Sequence, residues 1–197
     1  MSNVKLSSAE LALACNADLL LTKNLVIAKV YELFGQLSTN YQEDIKRHSL
    51  PQEVLKATPK ISRGENYLGL PWVMLDYPRH FAANDIFSIR TMFWWGRHFS
   101  QFILLKGKFI VPNIIECIIQ APQKADWHIC NGTDLWAHHF EPANMVEIKN
   151  LTAKQIFEII DQAGFVKIGR KEPIEYWDDI TQSMENGFNS GLQMLGY

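Results

Sequence analysis

The segment from Asp85 to Gly107, DIFSIRTMFWWGRHFSQFILLKG, constrains the fold of this chain more than any other. Its side chains alternate in character on both sides of Gly96, and a period of two is typical of β-strands. Glycine is favoured at the first loop position of a type II′ turn, because that position requires a positive φ. The segment therefore predicts a β-hairpin with Gly96 and Arg97 as its two loop residues.

This register would divide the hairpin side chains between two surfaces, with Trp94 opposite Phe99 and Arg90 opposite Ile103. The first surface would carry Phe87, Ile89, Thr91, Phe93, Trp95, Phe102 and Leu104. The second would carry Ser88, Arg90, Met92, Trp94, Phe99, Gln101 and Ile103. We expect the first surface to be core, whereas the second is too polar to be buried without partners.

The rest of the chain is predicted to form helices at both ends and further strands in the middle. Apolar spacings of three and four predict helices near residues 7–20, 23–47, 49–57, 112–122, 152–164 and 173–195. Strands are predicted at residues 70–77, 145–149 and 165–169, the first at a sheet edge because of Pro71 and Pro78. Asn131-Gly132 predicts a second hairpin, with Trp127 opposite Trp136. This order predicts an α+β fold, a single domain over residues 1–197 with N-terminal and C-terminal helices packed on a mainly antiparallel sheet.

Composition bounds the class of protein. The net charge of −2 argues against a nucleic-acid partner, although the middle of the chain has an excess of Lys and Arg. Cys15, Cys117 and Cys130 are widely spaced, which predicts neither a disulfide framework nor a structural zinc site and fits a reducing cytoplasm. No run approaches the roughly 20 apolar residues of a membrane span. We expect a soluble cytoplasmic protein that needs no cofactor.

Basic and aromatic residues around the central hairpin form the first candidate site. The predicted ligand-binding residues are Arg79, His80, Arg90, Trp94, Arg97, His98 and Gln101. Guanidinium groups pair with carboxylate or phosphate and exposed aromatic rings stack on planar groups, so this set predicts a small anionic or planar ligand, or a protein partner. In the alternative interpretation, Arg79 and Arg90 form structural ion pairs with Asp76 or Asp85.

A second candidate would make the protein a metal-dependent hydrolase or transferase. His128, Asp134 and His139 are metal-ligand types, but the predicted second hairpin separates His128 from His139 by roughly 13 Å. The enzyme hypothesis therefore requires that hairpin to break its register. No common nucleotide-binding or hydrolase motif is present, and no catalytic residue is assigned. A third alternative is a homodimer that buries the Trp94 surface without any ligand.

The chain also resembles a known family in the order of its elements. A long N-terminal helix precedes the hairpin MFWWGRHFSQFILLKG, a buried helix, DWHICNG and two closing helices around FVKIGRKEP. This order resembles the YktB-like family of uncharacterised bacterial proteins. The resemblance implies an α+β fold over most of the chain and supplies no catalytic residues.

Overall fold

The computed structural model describes residues 4–197, and their fold is α+β, as predicted. The helices are α1 (Ser8–Ala14), α2 (Ala17–Asp44), α3 (Gln52–Leu55), α4 (Ile114–Gln120), α5 (Ala153–Ala163) and α6 (Ile180–Met194). The strands are β1 (Lys60–Tyr67), β2 (Leu70–Phe81), β3 (Ile86–Trp94), β4 (His98–Lys106), β5 (His128–Cys130), β6 (Met145–Glu147) and β7 (Phe165–Glu172). They form one antiparallel sheet in the order β1-β2-β3-β4-β7-β5-β6.

Strand β2 lies inside the sheet, so its predicted edge position is wrong. It pairs with β1 on one side and with β3 on the other. The pairing with β3 is shifted between Asp76 and Arg79, which accommodates Pro78, a residue without an N–H to donate. Strand β1 was not predicted from the sequence, and it forms one edge of the sheet.

The central hairpin has a register one residue away from the predicted one. Trp94 lies opposite His98 and Arg90 lies opposite Phe102, so the loop has three residues, with Gly96 at φ 64°. A shift of one residue moves every side chain of β4 to the other face of the sheet. Phe99, Gln101 and Ile103 therefore share the face of Phe93, whereas His98, Ser100 and Phe102 share the face of Arg90 and Trp94.

Helices cover one face of the sheet, which we call the helical face. The buried side chains of α2 recur at spacings of three and four, as predicted for this helix: they are Val30, Leu33, Phe34, Leu37 and Tyr41. Helix α6 approaches the sheet closely at two glycines. A Cβ atom at Gly191 would lie 2.5 Å from the Cδ1 atom of Ile103, and one at Gly187 would lie 2.4 Å from the Oε1 atom of Gln101.

The second predicted hairpin is wrong. Strand β5 pairs with β6, with Cys130 opposite Met145, so residues 131–144 form a long loop instead of a two-residue turn. We call these residues the capping loop, because they lie over the other face of the sheet, the open face. Trp136 belongs to this loop and is 46% exposed, whereas Trp127 is buried.

The N-terminal part of the chain differs from the core in its exposure. A capping box of Ser7 and Glu10 begins α1 close to the predicted residue 7, but the helix ends at Ala14 instead of residue 20, and Asn16 caps a new helix. No residue of α1 is buried. Within residues 4–197, no single helix is both long and apolar enough to cross a membrane; Ser8–Ala14 and Ala17–Arg47, bent by 60°, reach that length and composition only when counted together.

Candidate functional site

A cleft of about 550 Å³ opens on the sheet between β1, β2, β3 and the capping loop, and we call it the sheet cleft. Its floor consists of side chains that alternate onto the open face of β2 and β3. The lining residues are Lys60, Ser62, Asn66, Tyr67, Trp72, Met74, Asp76, Arg79, Phe81, Arg90, Met92, Trp136 and His138. This volume falls in the range of small-molecule sites.

Arg90 and Asp76 form the polar part of the floor. The Nε and Nη2 atoms of Arg90 donate to Oδ1 and Oδ2 of Asp76 at 2.7 and 3.0 Å. The third nitrogen, Nη1, lies 2.8 Å from Nε2 of His138. Trp136 covers the guanidinium group, 5.3 Å from its ring centroid. The pair of Arg90 and Asp76 matches the structural ion pair that the alternative interpretation predicted.

His138 is held as a neutral imidazole above this pair. Burial, together with the charges of Lys167 and Arg90, lowers the pKa of His138 well below its ordinary value. Because Arg90 can only donate, Nε2 accepts and the proton is on Nδ1. This Nδ1 atom is buried without a hydrogen-bond partner in the part of the chain that the structure describes. The backbone N–H of His138 donates to the hydroxyl of Tyr67 at 2.5 Å.

The rim of the sheet cleft carries two cations that lack an acidic partner. Among residues 4–197, Lys60 and Arg79 form no ion pair, and the one hydrogen bond from Arg79 goes from Nε to the carbonyl oxygen of Thr58 at 3.0 Å. Aromatic rings flank them, with Trp136 packed on Phe81 at 5.9 Å between centroids. The cleft therefore combines positive charge with planar apolar surface.

A smaller concavity of about 250 Å³ lies at the turn end of the central hairpin, and we call it the hairpin pocket. Its lining residues are Leu68, Trp94, Arg97, His98, His139, Phe140, Glu141 and Lys171. Trp94 contacts Tyr67, a lining residue of the sheet cleft, at 5.1 Å between ring centroids. The consecutive residues His138 and His139 line different concavities.

The seven predicted ligand-binding residues are divided among three places. Arg79 and Arg90 line the sheet cleft, and Trp94, Arg97 and His98 line the hairpin pocket. The remaining two lie on the helical face, so their assignment to the same surface is wrong. His80 packs on Phe109 at 5.3 Å, and Gln101 is buried, donating to the hydroxyl of Tyr41 at 2.9 Å.

Much of the sheet cleft was not predicted from the sequence. Trp136 and His138 reach it because the capping loop crosses the open face, which the predicted hairpin excluded. The loop is fixed by long-range contacts, among them the hydrogen bond from Lys167 to the carbonyl oxygen of Ala137. Lys60 and Tyr67 were missed with strand β1. The alternation of KISRGENY was the available signal, and Gly64 and the low apolar content concealed it.

The metal-site alternative does not assemble. In the described residues, no three His, Cys, Asp or Glu side chains are grouped so that they could hold a metal ion. His128 contacts Phe140 at 5.2 Å and His139 lines the hairpin pocket. The Trp94 side chain is 4% exposed, because Tyr67, Arg97 and other parts of the same chain cover it. It therefore offers little surface for the proposed homodimer.

The protein therefore has an α+β fold with two concavities, both lined by basic and aromatic residues. Comparisons with protein-family models, curated proteins and solved structures gave no match. The resemblance to the YktB-like family stays a prediction.

Proposed function

We propose that this protein binds a small molecule that combines a planar ring with an acidic group, and that the sheet cleft is the binding site. This proposal rests on one observation: Lys60 and Arg79, which form no ion pair within residues 4–197, line the same cleft as the rings of Trp72 and Trp136. Cations beside an acidic group and aromatic faces beside a ring recognise the two halves of such a ligand.

Charge favours an acidic ligand over a basic one. Asp76 is the one carboxylate among the lining residues, and Arg90 already neutralises it. With His138 neutral, the remaining charge of the lining is positive. An acidic group near Lys60 and Arg79 would gain charge-assisted hydrogen bonds, each contributing about 1.5–3 kcal/mol.

The floor supports recognition through rigidity. Arg90 is held by Asp76 and His138, so its side chain loses little further freedom when a ligand arrives. Met74 and Met92 lie beside the ion pair and give the ring a polarizable apolar surface. The sheet cleft thus provides a fixed floor, with the cations Lys60 and Arg79 at its rim.

Isothermal titration calorimetry with three probes tests the proposal. Naphthalenesulfonate carries both features, naphthol carries the ring alone, and methanesulfonate carries the anion alone. We expect naphthalenesulfonate to bind at least about tenfold more tightly than naphthol, since one charged hydrogen bond contributes about that much. It should also bind at least about tenfold more tightly than methanesulfonate, because methanesulfonate lacks the ring. Equal affinity for naphthalenesulfonate and naphthol would contradict the role of the cations.

Variants locate the site. Lys60→Gln and Arg79→Gln should each weaken naphthalenesulfonate binding about tenfold, whereas Lys154→Gln, which changes an exposed cation on α5, should not. An apolar groove on the helical side, lined by Phe93, Trp95 and Trp177, is the competing site for the ring. Loss of binding in Trp177→Ala but not in Arg79→Gln would place the probe there and overturn the proposal.

A further inference from the structure

The lining of the hairpin pocket carries more positive than negative charge. Arg97 lies over the ring of Trp94, with its Cζ atom 5.5 Å from the ring centroid, and Lys171 lies over the ring of Phe140 at 5.3 Å. Neither forms an ion pair within residues 4–197, although Glu141 also lines the pocket. Two cations against one carboxylate leave an excess of positive charge.

The lining also contains nitrogens that lack hydrogen-bond partners. Nε1 of Trp94, Nε2 of His98 and Nδ1 of His139 are all buried without a partner in the described part of the chain. The indole nitrogen can only donate, so it needs an acceptor. A buried donor without an acceptor lowers stability, because it has given up its hydrogen bonds to water. A group that presents acceptors in several directions would therefore suit this lining. A small side-chain movement would be needed to bring the buried nitrogens within hydrogen-bond distance of such a group.

The charges of Arg97 and Lys171 both affect the pKa of His98, whose ring lies between the two aromatic rings that they contact. Its ring contacts Trp94 at 5.6 Å and Phe140 at 5.4 Å between centroids. Burial, with the charges of Lys171 and Arg97, lowers the pKa of His98 to about 4. His98 is therefore neutral at pH 7, and a bound anion would raise its pKa by offsetting those charges.

We propose that the hairpin pocket is a second binding site, separate from the sheet cleft, for the phosphate or sulfate group of a small molecule. Such a group is negatively charged and presents acceptor oxygens in several directions, which matches Arg97, Lys171 and the unpartnered donor of Trp94. The volume of about 250 Å³ leaves space for a few further atoms. A metal ion is disfavoured because Arg97 and Lys171 repel it.

Nuclear magnetic resonance of the histidine rings provides the test. Inorganic phosphate, added up to about 10 mM, should shift the ring signals of His98 and raise its pKa. The ring signals of His48, which contacts Asn189 and Tyr197 and does not line the hairpin pocket, should stay unchanged. If only glycerol phosphate produces the shift, the group is recognised as part of a larger molecule, which also supports the proposal. If neither probe shifts His98, the pocket holds at most water and the proposal is overturned.

Matched variants separate this site from the sheet cleft. Arg97 and Lys171 are exposed, so Arg97→Gln and Lys171→Gln should fold normally and should each weaken phosphate binding about tenfold. Arg79→Gln should leave phosphate binding unchanged, because Arg79 lines only the sheet cleft. Loss of phosphate binding in Arg79→Gln with none in Arg97→Gln would overturn the proposal. Unchanged binding of naphthalenesulfonate in Arg97→Gln would show that the proposed function of the sheet cleft does not depend on the hairpin pocket.

Discussion

The guanidinium group of Arg90 and the carboxylate of Asp76 face each other through two hydrogen bonds, on residues directly opposite in β3 and β2. Their side chains are only 12% and 7% exposed. A buried pair of this kind depends on both partners, since removal of one leaves an uncompensated charge away from water.

Arg90→Ala should therefore lower the free energy of unfolding by about 3–5 kcal/mol, as measured by urea denaturation. Arg79→Ala is the matched control, because Arg79 makes one hydrogen bond and no ion pair in the described residues, and it should cost about 1 kcal/mol. The double variant Arg90→Met with Asp76→Leu should be less destabilised than Arg90→Ala, because it leaves no buried charge. Equal losses for Arg90→Ala and Arg79→Ala would show that the pair is not structural.

Gly64 allows the ring of Trp72 to lie across strand β1. A Cβ atom at position 64 would lie 2.6 Å from Nε1 of Trp72, so Gly64→Ala must displace a ring that lines the sheet cleft. We expect weaker naphthalenesulfonate binding and a stability loss of about 1–3 kcal/mol. Gly35→Ala is the control, since among the described residues no heavy atom outside the adjacent helix backbone lies within 4 Å of its new Cβ; it should stabilise α2 by about 1 kcal/mol. Unchanged binding in Gly64→Ala would exclude Trp72 from the site.

Replacing a leucine in α1 and a leucine in α2 should have very different effects on stability. Leu37 of α2 is fully buried, whereas Leu11 of α1 is 54% exposed. Leu37→Ala should lower the free energy of unfolding by about 2–5 kcal/mol, because it removes buried methyl groups and leaves a cavity. Leu11→Ala should change it by less than about 0.5 kcal/mol. A large loss in Leu11→Ala would mean that another molecule covers α1 in solution.

Sequence predicted best those features that depend on neighbouring residues. The predicted helix starts at residues 7 and 152 coincide with capping boxes of Ser7 with Glu10 and of Thr152 with Gln155, and Gly164 ends α5 at the predicted position with φ 69°. Each is a contact within one helical turn, so the residue types alone nearly determine it. The α+β class follows from the order of such elements.

Features that depend on distant contacts were predicted poorly. The central hairpin was predicted correctly, but its register was not. Both a two-residue and a three-residue loop can contain a glycine with positive φ, so Gly96 alone does not determine the pairing of the two strands. That single shift placed Gln101 on the wrong face and made a buried partner of Tyr41 look like a ligand-binding residue. The local signal of Asn131-Gly132 was overridden in the same way, since Asn144 donates to the carbonyl oxygens of Ala137 and His139 within the capping loop.

Lys167 lies on the open face beneath the capping loop and has no exposed surface. Its ammonium group donates to the carbonyl oxygen of Ala137. Burial lowers the pKa of Lys167 to about 8 from an ordinary 10.5; the charge of Arg90 acts in the same direction, and Cys130 and Asp134 oppose it. The folded protein thus holds this lysine's proton less firmly than the unfolded chain does.

The contribution of Lys167 to the free energy of unfolding should depend on pH. Between the folded pKa of about 8 and the unfolded value of 10.5, the unfolded chain binds more protons, so the contribution of Lys167 to stability rises with pH. Below pH 8 the full penalty, about 3 kcal/mol, is present. Lys167→Met should therefore be more stable than the parent protein at pH 7, and Asn144 still satisfies the carbonyl oxygen of Ala137 at 3.0 Å. This advantage should shrink as urea denaturation is repeated from about pH 8 to about pH 10.5, whereas Lys154→Met, an exposed change, should show no such trend. A constant difference across this range would show that Lys167 keeps an ordinary pKa in the folded protein.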